Sequence, residues 1–157
     1  MEFPKIDETK LPAVEKIIDE INRYVIDENC DEDSPEVKKL SQKLREVTGR
    51  EKLNIYPFMY YSSYTTLKDA ATMALLPTPQ KLGLSDEELR NLIGKIARAE
   101  IMCSHGEAIN GYFIEVLKLE TGLDNVFDYL YNPDRIGMER HASIEEIIER
   151  IIADRKC

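Results

Sequence analysis

The sequence lacks tryptophan, has only seven glycines and seven prolines in 157 residues, and contains no apolar run approaching the ~18 residues of a membrane helix. It also lacks an excess of positive charge, because 21 Lys and Arg face 30 Asp and Glu and leave a net charge of −9. Nucleic acids and anionic membranes are bound by clustered positive charge, so direct binding to either is disfavoured. With 43% hydrophobic and 32% charged residues, the composition is typical of a folded soluble protein.

Cysteine is scarce, and its spacing does not indicate a disulfide framework. Cys30, Cys103 and Cys157 are an odd number and form no Cys-x-x-Cys pair. This pattern predicts free thiols in a reducing compartment. The first ten residues, MEFPKIDETK, are acidic and lack the apolar stretch of a signal peptide. We therefore expect a cytoplasmic protein.

Apolar residues recur at helical spacing along almost the whole chain, which predicts an all-α fold. Helix boundaries are marked by Ser34, Thr65 or Thr66, Ser85 and Ser143 as N-terminal caps and by Gly49 and Gly122 as C-terminal caps. The stretch from Cys103 to Gly106 has no apolar pattern and is interpreted as a linker that precedes the next helix.

The two halves of the sequence resemble each other in the order of their elements. A helix that ends in Thr-Gly is second in both halves, at Gly49 and Gly122, and a proline lies in or after the third element, at Pro57 and Pro133. We therefore predict a helical bundle of two similar four-helix modules, residues 1–78 and 79–157, packed together as one body. The alternative is a single helical domain in which the likeness is accidental.

Catalytic and metal-binding patterns are weak. Cys103, His105 and Glu107 lie close in sequence, but a zinc site needs three or four converging ligands and a nucleophile needs an aligned base. The acidic run 27–33 lacks the glycine and the distant glutamate of a calcium-binding EF-hand loop. No phosphate-binding glycine loop or Ser-His-Asp signature is present, so the sequence predicts no catalytic residue, no metal and no cofactor.

Residues 53–64, LNIYPFMYYSSY, are the one aromatic-rich stretch. Pro57 prevents an uninterrupted helix there, so we expect a short turn or irregular segment, with a strand as the alternative. Its aromatic side chains either fill the junction between the halves or form an anchor patch for a partner.

The stretch from Thr121 to Pro133, TGLDNVFDYLYNP, resembles the hallmark of the colicin and pyocin DNase immunity proteins. In that family a helix ending in Thr is followed by a short loop, then Asp-Leu-Ile-Tyr-Tyr-Pro, an acidic loop, and a final helix that begins near a serine. Here the matching residues are 128–133, followed by Ser143. The likeness covers roughly residues 81–157, and Asn132 replaces the second tyrosine of the family motif.

The resemblance implies a non-catalytic four-helix inhibitor whose second and third helices bind a basic nuclease toxin. Carried over residue by residue, it implies that Asp128, Tyr131 and Pro133 form the anchor and that Glu107 is the acid of the second helix. We expect the exposed face of residues 107–118 at the contact as well, which adds Asn110, Gly111 and Ile114 to the seven predicted partner-binding residues. The resemblance implies a protein partner with no direct contact to nucleic acid or membrane, and we expect a monomer or weak dimer. The alternative hypothesis is an all-α scaffold or regulatory interaction module with a non-toxin partner.

Overall fold

A computed structural model describes residues 3–156. Within this range the chain forms α-helices and short 3₁₀ turns and no strand, which confirms the predicted all-α class. The helices are α1 (Leu11–Asp27), α2 (Pro35–Thr48), α3 (Tyr56–Met59), α4 (Leu67–Leu75), α5 (Asp86–Ala97), α6 (Glu100–His105), α7 (Glu107–Thr121), α8 (Val126–Tyr131) and α9 (Ile144–Asp154). The 3₁₀ turns are Glu8–Lys10, Tyr61–Ser63 and Pro133–Ile136. Over the same range, no helix combines the length and the apolar character required to cross a bilayer.

The chain divides into two compact units. The N-terminal unit comprises Pro4–Pro77, and the C-terminal unit comprises Phe3 together with the residues from Thr78 onward. The domain boundaries predicted from the sequence, 1–78 and 79–157, stay a prediction, as do the duplication and the packing of the modules as one body.

The N-terminal unit is organised around α1. This helix packs against α2, α4 and α3, because its apolar residues recur every three or four positions and face one side. Among the core side chains with no exposed surface are Val14, Ile18 and Ile21 of α1 and Leu44 of α2. The alanines of α4 lie in the same core, where small side chains allow close approach of α1.

The C-terminal unit is organised around α5 and α7. Helix α5 packs against α7, α9, α6 and α8, and α7 also contacts α6 and α8. The apolar residues of α5 are buried at the spacing seen in α1, with Leu92 and Ile93 completely enclosed. The order long helix, long helix, short helix, final helix therefore recurs in both units, and α6 is an addition in the C-terminal one.

Helix termini follow the chemistry expected from the sequence. Ser85 and Ser143 each form a capping box, in which the serine oxygen accepts from the third helical N–H and that residue's glutamate accepts from the serine N–H. Thr66, rather than Thr65, caps α4 through a bond from the Asp69 N–H. Ser34 precedes α2, but its hydroxyl pairs with Asp31 instead of capping the helix.

One segment differs from its sequence-based interpretation, and a second agrees with it in part. The predicted linker from Cys103 to Gly106 is wrong in large part, because α6 extends through His105. Helix α6 begins after Ala99. The φ of Ala99, +57°, is a left-handed conformation that sequence patterns do not reveal. In residues 53–64 the expected short turn takes the form of the one-turn helix α3 and the 3₁₀ turn Tyr61–Ser63, and the alternative of a strand is wrong. Pro57 fits the first turn of α3, where its missing N–H costs no helical bond.

Candidate docking surface

Helix α7 presents an exposed stripe on one side and buries its opposite side in the unit. Glu107, Gly111 and Glu115, four residues apart, are exposed, and a side chain added at Gly111 would meet no atom within 4 Å. Lys118 lies on the same side and donates to Glu115 at 2.8 Å. The stripe therefore offers two carboxylates separated by a bare stretch of backbone.

Three of the seven predicted contact residues lie inside the unit. Asn110 is 3% exposed, Ile114 is 8% exposed, and Pro133 is buried where it begins the 3₁₀ turn after α8. Atoms of a partner would not reach these side chains without rearrangement of the unit. Of the predicted contact residues on α7, Glu107 and Gly111 are exposed and remain available for direct contact.

The turn after α7 fixes where α8 begins. The Thr121 hydroxyl donates to the Leu117 carbonyl at 2.7 Å and accepts from the Leu123 N–H at 3.3 Å. Gly122 adopts φ +69°, a left-handed conformation that glycine takes without a steric penalty, and ends the helix. Leu123 and Val126 are then buried, which holds the start of α8 against the unit.

The exposed face of α8 is an aromatic pair. The rings of Phe127 and Tyr131, one helical turn apart, have centroids 4.6 Å apart and are 51% and 39% exposed. We call these two residues the ring pair. Sequence reasoning selected Tyr131 but missed Phe127. The signal for Phe127 was present in its spacing, because a residue four positions before Tyr131 lies on the same face of a helix. The structure shows Tyr129 and Leu130, between the two rings, buried.

Asp128 lies between the two rings along the helix and is held by local contacts. Its carboxylate accepts from the Asn132 side chain at 3.4 Å and forms an ion pair with Arg135 at 3.6 Å. The Asp128 side chain is 28% exposed and that of Arg135 is 69% exposed. The pairing cation is thus an exposed surface group, and exposed pairs of this kind contribute little to stability.

The buried side of α8 is anchored to α9. The Tyr129 hydroxyl donates to Asp154 Oδ2 at 2.8 Å, and Arg150 Nε donates to the same oxygen at 2.8 Å. Burial raises the pKa of Tyr129, and the hydrogen bond to Asp154 raises it further. The hydrogen bond from Arg150, assisted by that from Tyr129, lowers the pKa of Asp154. These contacts prevent α8 from rotating and keep the ring pair outward.

Asn110 supports Tyr131 from beneath. Its side-chain nitrogen donates to the Tyr131 hydroxyl oxygen at 3.4 Å, whereas its Oδ1 is buried without a hydrogen-bond partner among the described residues. A buried polar atom without a partner is costly and uncommon in native structures. Asn110 therefore acts on the surface through Tyr131, and its own side chain does not reach the exterior.

The segment that contains Cys103, His105 and Glu107 is packed through aromatic rings. The His105 ring stacks on Phe3 with centroids 3.9 Å apart, and Phe3 meets Phe113 edge to face at 5.3 Å. A cavity of 180 Å³ lies beside this stack. In the part of the chain that the structure describes, no group of three or more His, Cys, Asp or Glu is placed to hold a metal ion. Cys30 and Cys103 are free thiols, and Cys157 lies outside the described residues.

The aromatic segment of the N-terminal unit has an inner and an outer side. Phe58, Met59 and Tyr61 belong to the buried core, whereas Tyr56 and Tyr60 are 62% and 41% exposed. Tyr64 is exposed as well, at 53%. We call Tyr56, Tyr60 and Tyr64 the tyrosine patch.

The burial patterns of α3 and α8 are the same. Tyr56 and Tyr60 are exposed one turn apart, like Phe127 and Tyr131, with two buried side chains immediately before the second ring in both cases. This register pairs Pro57 with Asp128, whereas the sequence comparison paired it with Pro133. The third element of each unit thus carries an outward pair of aromatic rings.

Comparison with known proteins adds no family to this description. No family model, no curated protein and no solved structure matches the chain. The resemblance to DNase immunity proteins therefore stays a prediction that depends on the residues from Thr121 to Pro133 and on the matching residues around them.

Proposed function

We propose that the chain is a cytoplasmic, non-catalytic immunity-type inhibitor that binds and neutralises a basic bacterial nuclease toxin. The observation that carries the proposal is the ring pair of α8, which stands exposed around Asp128 on a helix that packs against α7. This is the segment in which the sequence resembles the anchor of the immunity proteins.

The chemistry of the surface suits a cationic protein. A nuclease binds phosphates through positive charge, so an acidic inhibitor gains association rate and specificity from complementary charge. The net charge of −9 supplies the long-range field, and Asp128 and Glu107 supply carboxylates at the surface itself. Arg135 now pairs with Asp128 and would be exchanged for a cation of the toxin.

The rings supply the short-range part of the binding energy. Tyr and Phe bury a large rigid surface with few rotatable bonds, and binding hot spots are enriched in such residues. Because Tyr129 and Asn110 already hold α8 and Tyr131 in place, little conformational freedom is lost when a partner covers the ring pair.

The test is inhibition of the protein encoded beside this gene. We expect the purified neighbour to cleave nucleic acid, and the chain to abolish cleavage at equimolar concentration. Tyr131→Ala should weaken binding by about 2 kcal/mol, roughly 30-fold in Kd, as expected for a central aromatic anchor. Asp128→Asn should slow association and reduce its dependence on salt.

The matched control is Met102→Ala, which removes an apolar side chain of equal exposure, 40%, from α6. It should leave Kd within twofold of the wild type. If the double change at Asp128 and Tyr131 leaves binding unaltered, the site assignment is wrong. If the neighbour is no nuclease and the chain instead binds a non-toxin protein, the scaffold hypothesis replaces the inhibitor hypothesis.

A further inference from the structure

The tyrosine patch is an exposed apolar surface on a rigid support. Tyr56 and Tyr60 meet edge to face with centroids 6.1 Å apart, and the Tyr64 hydroxyl donates to the Pro57 carbonyl. Contiguous exposed aromatic surface of this kind marks interaction sites more often than scattered single residues do.

The segment beneath the patch is held by two long-range hydrogen bonds. The Asn22 side chain donates to the Met59 carbonyl at 2.9 Å, and the Tyr61 hydroxyl donates to Asp19 at 2.9 Å. Both bonds connect the segment to α1, the central helix of the unit. The outward tyrosines are therefore preorganised, and a partner would lose little binding energy to their ordering.

A polar groove continues from Tyr56 along α2. Its first part, of 400 Å³, is lined by Tyr56 and carries Glu32, Asp33, Lys38 and Arg45. Its second part, also 400 Å³, shares Arg45 and adds two further carboxylates, Glu46 and Glu51. The lining thus holds four carboxylates and two cations.

Both cations of the groove are engaged within the chain. Lys38 Nζ lies 4.0 Å from an Asp33 carboxylate oxygen, and Arg45 Nε donates to the Leu53 carbonyl at 3.1 Å. The lining as a whole therefore carries a net charge of −2, and its excess of negative charge lies at the end that holds Glu46 and Glu51. This charge favours a cationic occupant.

We propose that the tyrosine patch and the α2 groove form a docking surface for a basic segment of a protein partner. The rings cover apolar surface of that segment, and its Lys or Arg side chains enter the groove toward Glu32 and Glu51. This surface belongs to the N-terminal unit, and the proposal goes beyond the proposed function, since it holds whether or not the ring pair of α8 binds a nuclease.

The test is selection of a displayed library of random 12-residue peptides on the full chain carrying Tyr131→Ala and Asp128→Asn, which removes the other surface. We expect enriched peptides to contain Lys or Arg together with apolar residues. Their affinity should fall about tenfold with Tyr56→Ala or Tyr60→Ala, as for an aromatic anchor. It should also fall when the salt concentration is raised from about 0.05 to 0.3 M, because surface charge is screened.

Three variants distinguish binding at this surface from non-specific binding to the chain. Ile26→Ala removes another exposed apolar side chain, 54% exposed on α1, and should change affinity less than about twofold. Lys38→Gln should raise affinity, because it frees Asp33 for the incoming cation, and Glu51→Gln should lower it. The proposal is overturned if no enriched peptide depends on Tyr56 and Tyr60, or if the peptides that do depend on them lack basic residues.

Discussion

Replacing Gly122 by alanine should destabilise the C-terminal unit more than the equivalent change at Gly49 destabilises the N-terminal unit. Both glycines end the second long helix of their unit, with φ of +69° and +71°. The left-handed conformation costs alanine about 1–2 kcal/mol, of which about 0.4–1 kcal/mol is recovered because the unfolded chain is less flexible. This conformational part, about 1 kcal/mol, is common to both sites.

The surroundings of the two glycines differ. A β-carbon at Gly49 meets nothing within 4 Å, whereas one at Gly122 lies 3.0 Å from Lys156 Cβ and 3.5 Å from its carbonyl oxygen. Lys156 is held there by its N–H, which donates to the Thr121 carbonyl at 2.7 Å. Displacing it forfeits a hydrogen bond worth about 0.5–1.5 kcal/mol, so Gly122→Ala should cost about 2 kcal/mol in total.

Amide hydrogen exchange measures each unit separately, with the buried residues Leu117 and Leu44 as reporters of the two second helices. Removing the last two residues of the chain deletes Lys156, and in that background the cost of Gly122→Ala should fall to that of Gly49→Ala. Equal costs in the intact chain, or a difference that survives the deletion, would refute the reasoning.

Two further predictions concern polar side chains. Asn22→Leu should destabilise the protein by about 1–3 kcal/mol because it leaves the Met59 carbonyl without a hydrogen-bond donor. Asn110→Leu should be close to neutral because it removes Oδ1, a buried oxygen that has no hydrogen-bond partner. Urea unfolding of both variants measures the difference in the free energy of unfolding. Asp154→Asn should lower the melting temperature at neutral pH, and the loss should disappear as the pH falls below about 3.9, since the folded-state pKa of Asp154 is depressed. Asp124→Asn, an exposed change without the α9 contacts, is the control, and a pH-independent loss for Asp154→Asn would contradict the assignment.

The helices were predictable because their signals are local. Capping boxes at Ser85 and Ser143 and left-handed glycines at Gly49 and Gly122 depend on residues within one turn of each other. Helix α6 was not predictable by these rules, because only Ile101 of its six residues is buried and no apolar period develops.

The candidate surface was predictable in part. Helix α7 contacts α5, α6 and α8, so apolar side chains cover much of its circumference and the sequence does not reveal which stripe faces solvent. Sequence reasoning therefore selected Asn110 and Ile114 along with the exposed Glu107 and Gly111. The outward direction of Tyr131 depends on tertiary contacts of its neighbours, above all the bond from Tyr129 to α9.

As proposed docking surfaces, the two aromatic pairs would differ in specificity, although their burial patterns coincide. Between its rings the C-terminal unit places Asp128, an ionisable side chain, and the N-terminal unit places Pro57, which offers no charge and whose carbonyl already accepts from Tyr64. Charge in the N-terminal unit comes instead from the groove along α2, which begins beside Tyr56. A basic segment short enough to lie on the ring pair of α8 can pair its cation with Asp128. On the tyrosine patch the same segment would meet no carboxylate between the rings, so its cation would be paired only if the segment also extended along α2. If both surfaces bind basic partners as proposed, recognition by the ring pair of α8 is compact and recognition by the tyrosine patch is extended, because the carboxylate lies between the rings in the C-terminal unit and beyond them in the N-terminal unit.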